Sequence, residues 1–172
     1  VIFGDYNPGG KLPVTFYEST KDLPDFLDYS MENRTYRYFR GVPQYAFGYG
    51  LSYTTFEVGK GKISKKSMKT DGSVKITVPV ENTGDREGTE TIQVYVKALD
   101  YAEAPIKSLK GFQKINLKAG EKGKVEIVLD GESFQYYDPS IDELSTRTGR
   151  YQILYGTSSL EKDLKSIDFV VK

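Results

Sequence analysis

No cysteine, histidine or tryptophan occurs among the 172 residues, and each absence removes a chemistry. Without cysteine there is no disulfide, no thiolate nucleophile and no thiolate-held zinc, and the redox compartment is left open. Without histidine a serine or cysteine nucleophile has no imidazole base, and most transition-metal sites lose their commonest ligand. Charge of one sign is missing as well. Twenty-four basic residues balance 24 acidic ones, so there is no basic footprint for a phosphate backbone and nucleic acid is not an expected partner. Apolar runs stop at three residues, as in Ile127-Val128-Leu129, and none reads as a membrane span. The chain opens Val1-Ile2-Phe3-Gly4 with no initiator methionine and no charged leader, which is expected of a piece of a longer polypeptide. Catalysis is left to carboxylate, tyrosine, lysine or hydroxyl groups.

What is present divides the chain in two. With 38% apolar and 28% charged residues the composition is globular, and a chain of this length buries about 70% of its unfolded surface without covalent staples. Yet eight of the 14 tyrosines and six of the nine phenylalanines fall within residues 1–56. That stretch also carries Pro8, Pro13, Pro24 and Pro43 and the turn clusters Asn7-Pro8-Gly9-Gly10 and Gly48-Tyr49-Gly50, with no sustained period. It reads as an irregular, packed segment that needs a neighbour to cover its rings. Val1-Ile2-Phe3 before Gly4 resembles a last helical turn meeting its terminal glycine. Leu12, Val14 and Phe16 alternate with Pro13 and Thr15, which predicts a short strand.

From Thr54 onward the period is two. Val74, Ile76, Val78 and Val80 alternate with Lys75, Thr77, Pro79 and Glu81, predicting one buried and one solvated face. Pro79 donates no hydrogen bond and is expected at a sheet edge or bulge. Ile92, Val94 and Val96 repeat the pattern beside Gln93, Tyr95 and Lys97, and Val125, Ile127 and Leu129 do so again. Further runs span Phe112 to Leu117, Tyr151 to Tyr155 and Ile167 to Val171. Turn signals at Asn82-Thr83-Gly84-Asp85, Ala119-Gly120-Glu121, Asp130-Gly131 and Gly156-Thr157-Ser158-Ser159 separate them. About seven short strands at such spacing predict an antiparallel β-sandwich.

Chemical motifs are sparse. Gly48-Tyr49-Gly50 continues with Leu51-Ser52-Tyr53 and lacks the third glycine of a dinucleotide site, so it reads as turn chemistry. Acid/base pairs of the glycosidase type need two carboxyls about 5–9.5 Å apart, one with a raised pKa. The candidates are Asp100 with Glu103, Asp142 with Glu143, and Asp22, Asp25 and Asp28, all in polar, loop-like surroundings that would not desolvate them. Asp138-Pro139-Ser140-Ile141-Asp142-Glu143 imitates a calcium loop but lacks its alternating acids and central glycine. No metal or cofactor is expected. Asn33-Arg34-Thr35 fits a glycosylation acceptor. Arg34, Tyr36, Arg37 and Tyr38 alternate guanidinium and aromatic groups, a strip able to stack on sugar rings or to glue an extended segment onto a protein surface.

Taken together, Phe3-Gly4-Asp5-Tyr6-Asn7-Pro8-Gly9-Gly10-Lys11-Leu12-Pro13-Val14-Thr15-Phe16 and Tyr45-Ala46-Phe47-Gly48-Tyr49-Gly50-Leu51-Ser52-Tyr53-Thr54 resemble the C-terminal region of glycoside hydrolase family 3. Glu81-Asn82-Thr83-Gly84-Asp85 through Gln93-Val94-Tyr95-Val96, Leu109-Lys110-Gly111-Phe112 and Gly149-Arg150-Tyr151 with Gly156-Thr157-Ser158-Ser159 resemble that family's fibronectin type III-like domain. Asn33 through Phe39 is similar to the form in β-xylosidases more than in β-glucosidases. The resemblance implies an all-β, fibronectin type III-like sandwich over residues 54–172. Residues 1–53 would then be the extended remnant of an upstream α/β sandwich domain and its connector. It also implies a retaining parent acting on β-linked xylosides or glucosides, periplasmic or secreted, whose nucleophile and acid/base lie upstream, so that no catalytic residue falls in this chain. The expected partners are the upstream catalytic domains of the same polypeptide and, through them, an oligosaccharide. Two other readings stand beside this one. One is a carbohydrate-binding module using exposed tyrosines such as Tyr95, Tyr101, Tyr136 and Tyr137; the other is a protein-interaction sandwich.

Overall fold

A computed structural model describes residues 1–172, and nearly all of its regular structure is strand. Residues 1–53 hold only the antiparallel pair β1 (Phe16–Tyr17) and β2 (Pro43–Tyr45), a 3-10 turn at Thr20–Asp22, and the short helix α1 (Thr35–Tyr38). There follow β3 (Phe56–Val58), β4 (Lys62–Ile63), β5 (Ser67–Met68), β6 (Ser73–Asn82), β7 (Gly88–Ala98), β8 (Ser108–Leu117), β9 (Lys122–Asp130), β10 (Tyr136–Asp138), β11 (Glu143–Ser145), β12 (Gly149–Gly156) and β13 (Leu164–Val171). One sheet has the order β5-β13-β12-β7-β8, with β5 parallel to β13 and every other pairing antiparallel. The second is centred on β6, with β9 along one side and β3 then β4 along the other. Strands β10 and β11 form a separate hairpin.

The period-two runs become the two inner faces of this sandwich. Val74, Ile76 and Val78 of β6 sit opposite Leu129, Ile127 and Val125 of β9. They face Ile92, Val94 and Val96 of β7, Tyr151, Ile153 and Tyr155 of β12, and Phe169 and Val171 of β13 in one buried cluster. Each such side chain contributes about 1.5–3 kcal/mol by leaving water. Phe134 closes one end, edge-on to Tyr151 and stacked on Phe169, both at 5.3 Å between ring centroids. Near the start of β12 the Tyr151 hydroxyl donates to the Arg147 carbonyl at 2.7 Å, the tyrosine corner of immunoglobulin-like sandwiches.

Two local expectations are corrected. The strand expected over residues 12–16 shrinks to Phe16–Tyr17, because Pro13 has no N–H to continue a ladder. Leu12 instead makes an isolated bridge, donating to the Tyr49 carbonyl at 2.8 Å and accepting from Gly48 N–H at 2.7 Å. Pro79 lies on a central strand, not at an edge or bulge, paired with Lys124 in an unbroken register. Its missing donor is tolerated because it faces the side where β3 has ended and β4 has not begun, the side on which its carbonyl accepts from Gly59 at 2.9 Å. Between β7 and β8 the register slips at Val94/Tyr95, leaving Lys110 as an extra, bulged residue. At the start of the chain Gly4 closes a turn, with φ 85° and its N–H donating to Val1 at 3.0 Å.

Asn82 is the polar plug of the interior. Its side chain is fully buried; the amide donates to the Arg86 and Leu117 carbonyls at 2.8 and 3.0 Å, and its oxygen accepts from Thr54 Oγ1 and Gly84 N–H at 2.7 and 3.1 Å. Asn82→Ala strands buried donors and acceptors and is expected to lower unfolding free energy by about 3 kcal/mol in urea titration. Thr83→Ala, at an exposed neighbour, is expected to lower it by under about 1 kcal/mol.

Candidate functional site

Strand β7 has a period-two sequence but is buried on both faces from Glu90 to Val96. The outward side chains Gln93 and Tyr95 are 3% and 0% exposed. The aromatic segment covers them, which alternation alone does not reveal. The Tyr95 hydroxyl donates to Gln93 Oε1 at 2.5 Å, and Gln93 Nε2 donates to the Gly48 and Thr157 carbonyls at 3.1 and 2.7 Å. Gly48 has φ 79°, and a Cβ there would fall on the Gln93 amide, so both backbone and space require glycine. Tyr36 completes the cover, stacked on Phe47 at 4.3 Å and edge-on to Tyr95 at 5.8 Å. Its hydroxyl oxygen accepts from Leu109 N–H at 3.0 Å. Burial pushes the hydroxyls of Tyr36 and Tyr95 above the ordinary tyrosine range.

The strip is thus split by the structure. Tyr36, Arg37 and Tyr38 lie against the sandwich, with the Arg37 guanidinium 5.6 Å from the Tyr38 ring centre and its carbonyl accepting from Ile106 at 2.8 Å. Arg34 turns away, its Nε donating to the Ser30 carbonyl at 2.9 Å and its Nη2 to the Asp28 carbonyl, and so ties down its own loop. Asn33 and Thr35 both have φ 55°. For a β-branched threonine that conformation costs about 1–3 kcal/mol and is sustained by surrounding contacts. Of the four candidates Tyr36 lines the large cleft beside the segment and the others do not. The cleft, of about 750 Å³, lies between the segment and the five-stranded sheet, with Tyr36, Thr15, Phe39 and Arg40 on one side and Lys97 and Lys107 on the other. The sequence offered no signal for Lys107, a single lysine between Ile106 and Ser108.

The carboxylates are committed to turns and arginines. Asp22 completes a capping box with Ser19, and the Asp25 and Asp28 oxygens each accept a backbone N–H two residues on, at 2.8 Å. Asp100 accepts from Arg150 Nε and Nη2 at 2.9 and 2.6 Å and from its backbone N–H at 2.7 Å. Arg147 joins Glu103 and Asp138, at 3.3 and 3.1 Å, and lies 4.3 Å over the Tyr101 ring. Asp142 accepts from the Tyr137 hydroxyl, and Glu143 pairs across the hairpin with Asp138. No three acids converge as metal ligands. Every displaced carboxyl moves downward: Asp100 chiefly by its Arg150 hydrogen bond, Asp138 and Asp130 by serine hydroxyls, Asp28 by the Ser30 backbone, Glu126 by lysines. A general acid requires the opposite shift.

The tyrosine platform is corrected as well. Tyr95 and Tyr136 are buried, Tyr101 has Arg147 on its face and its hydroxyl bonded to the Thr148 carbonyl at 2.5 Å, and only Tyr137 is half exposed. The reason is that Tyr95 lies under the segment and Tyr136 points inward from β10, where burial lifts its pKa to about 12.

This geometry has close counterparts. Residues 1–53 match the glycosyl hydrolase family 3 C-terminal domain, and residues 90–159 match the fibronectin type III-like domain. The chain is 51% identical over 168 residues to a xylan 1,4-beta-xylosidase of Xylanibacter ruminicola, covering 97% of itself and 19% of that protein. It is 38% identical to a periplasmic beta-glucosidase of Salmonella typhimurium, covering 92% of itself and 22% of the relative. The solved GH3 beta-glucosidase of Bifidobacterium adolescentis superposes with a TM-score of 0.86 at 31% identity, over 99% of this chain and 27% of that one. The chain belongs to glycoside hydrolase family 3, as its C-terminal region with the fibronectin type III-like domain. It spans about a fifth of the length of the curated relatives it matches.

Tyr36→Ala removes the edge-on cover of Tyr95 and the stack on Phe47 and is expected to lower unfolding free energy by about 2 kcal/mol in urea titration. Asp138 has a folded-state pKa below the ordinary 3.8. Its contribution is therefore present above that value and lost as pH falls through the depressed one. The unfolding midpoint is expected to fall between about pH 5 and pH 2, and Asp138→Asn to flatten part of that fall.

Proposed function

We propose that this chain is a non-catalytic accessory part of a longer family 3 glycosidase, one that hydrolyses terminal β-linked xylosides or glucosides with retention of configuration. Its role is to stabilise and position the catalytic domains. Residues 1–53 belong with the upstream α/β domain and its connector, and residues 54–172 form the sandwich. The observation that carries this reading is where the uncovered apolar surface lies: 15 of the 22 large apolar side chains left exposed fall in residues 1–53, among them Ile2, Phe3 and Phe26 at 90–91%. Such a surface marks a contact with another protein body. That every displaced carboxyl is shifted downward supports placing the general acid elsewhere. The names xylan 1,4-beta-xylosidase and periplasmic beta-glucosidase among its relatives support the substrate class and a periplasmic or secreted location.

Assay on aryl β-xylosides and β-glucosides tests the division of labour. The 172-residue chain is expected to show only the buffer rate, while the longer protein turns over. Turnover by the chain alone, abolished by one carboxylate substitution, overturns the proposal. In sedimentation the chain is expected to self-associate, and Phe26→Glu with Leu27→Glu to reduce that association.

A further inference from the structure

We infer that the cleft between the aromatic strip and the five-stranded sheet is a binding site for a carboxylated sugar, its carboxylate met by Lys107 and its ring held between the aromatic wall and the sheet. This inference is independent of the catalytic assignment of the longer protein. At about 750 Å³ the cleft is far larger than a bare oxyanion needs, and it falls within the range of about 300–1,000 Å³ typical of small-molecule sites. Its charge is one-sided. Arg40, Lys97, Lys107 and Lys162 line it against a single carboxylate, Glu161, in a chain whose net charge is zero.

None of those four cations is ion-paired; the pairs of the chain involve other lysines and arginines. Lys107 is the decisive group. It is only 7% exposed, and its side chain has neither a salt bridge nor a hydrogen bond. Burial holds its pKa below the ordinary lysine value in spite of attraction from Glu161. Glu161 is its one attracting carboxylate and Lys97 opposes it, so an anion entering the cleft would ease the partly desolvated ammonium. A smaller hollow of about 150 Å³ shares Lys97, Lys107 and Glu161, so Lys107 borders open space on two sides. Thr15 also lines the cleft, with its Oγ1 buried and unpartnered. Tyr36 and Phe39 supply the aromatic wall that suits the apolar face of a sugar ring. Four cations against one carboxylate attract an anion, and the volume and aromatic residues of the cleft suit a sugar that carries the charge better than a bare phosphate.

Calorimetric titration of the chain at low salt with glucuronate, glucose and inorganic phosphate tests this. Glucuronate is expected to bind saturably and to weaken as sodium chloride is raised. Lys107→Met is expected to weaken it about tenfold, and Arg40→Gln, an exposed rim change, by a few-fold. Lys107→Met is also expected to melt at or above the parent temperature, which separates lost binding from lost folding. Comparing free glucuronate with a glucuronate-bearing oligosaccharide tells whether the ring arrives alone or attached; binding of either supports the site. Equal binding of glucose or of phosphate, no saturable binding of glucuronate in either form, or a lower melting temperature for Lys107→Met overturns it.

Discussion

Strand β7 has no free face, and the rest of the arrangement follows from that constraint. Its inner side chains, Ile92, Val94 and Val96, are ordinary sandwich core. Two of its outer ones, Gln93 and Tyr95, are polar groups that burial would penalise unless their donors and acceptors were met. They are met by each other and by two main-chain carbonyls from opposite ends of the sequence, Gly48 and Thr157. The aromatic segment is therefore fastened by hydrogen bonds with defined directions as well as by rings, which fixes where Tyr36 and Phe47 come to lie. The salt bridge from Lys11 to Glu90 at 2.7 Å and the Asn7 amide on the Glu87 carbonyl at 2.9 Å fasten its other end to the same strand. The segment meets β7 at these points and stands off the sheet beside them, so a cleft remains.

The sandwich was legible in the residues because alternation reports directly on a face turned inward. The runs at Val74 to Val80, Ile92 to Val96, Val125 to Leu129, Tyr151 to Tyr155 and Ile167 to Val171 all became strands of it. Alternation is silent on what lies over the other face. Gln93 and Tyr95 read as solvated, and Tyr95 and Tyr136 as sugar-stacking surface, because their covers come from residues far away in the chain. Pro79 misled for a related reason: a missing donor matters only where a partner strand needs it, and the Pro79 nitrogen faces the gap between β3 and β4.

The chemical site was less legible than the fold. Acids are visible in a sequence; their partners are not. Asp100 and Asp138 become structural groups only once Arg150 and Arg147 are seen beside them. Lys107 carries no local signal at all, since its importance is depth without an ion pair, a property of the whole assembly. The aromatic excess of residues 1–56, in contrast, was readable early and has two physical meanings: part of it covers β7, and part remains uncovered.

The perimeter of the two sheets carries its own consequence. Short β5 closes the β13 side, the Lys110 bulge and the Tyr36 contact interrupt β8, the second sheet's edge is cut in two between β3 and β4, and β9 presents Lys122 and Lys124. Long, flat, unpaired strand edges are what template fibrous growth. Here the long outer strands β8 and β9 are blunted by the bulge and the lysines, so the exposed rings can meet a globular neighbour without the main chain propagating the contact.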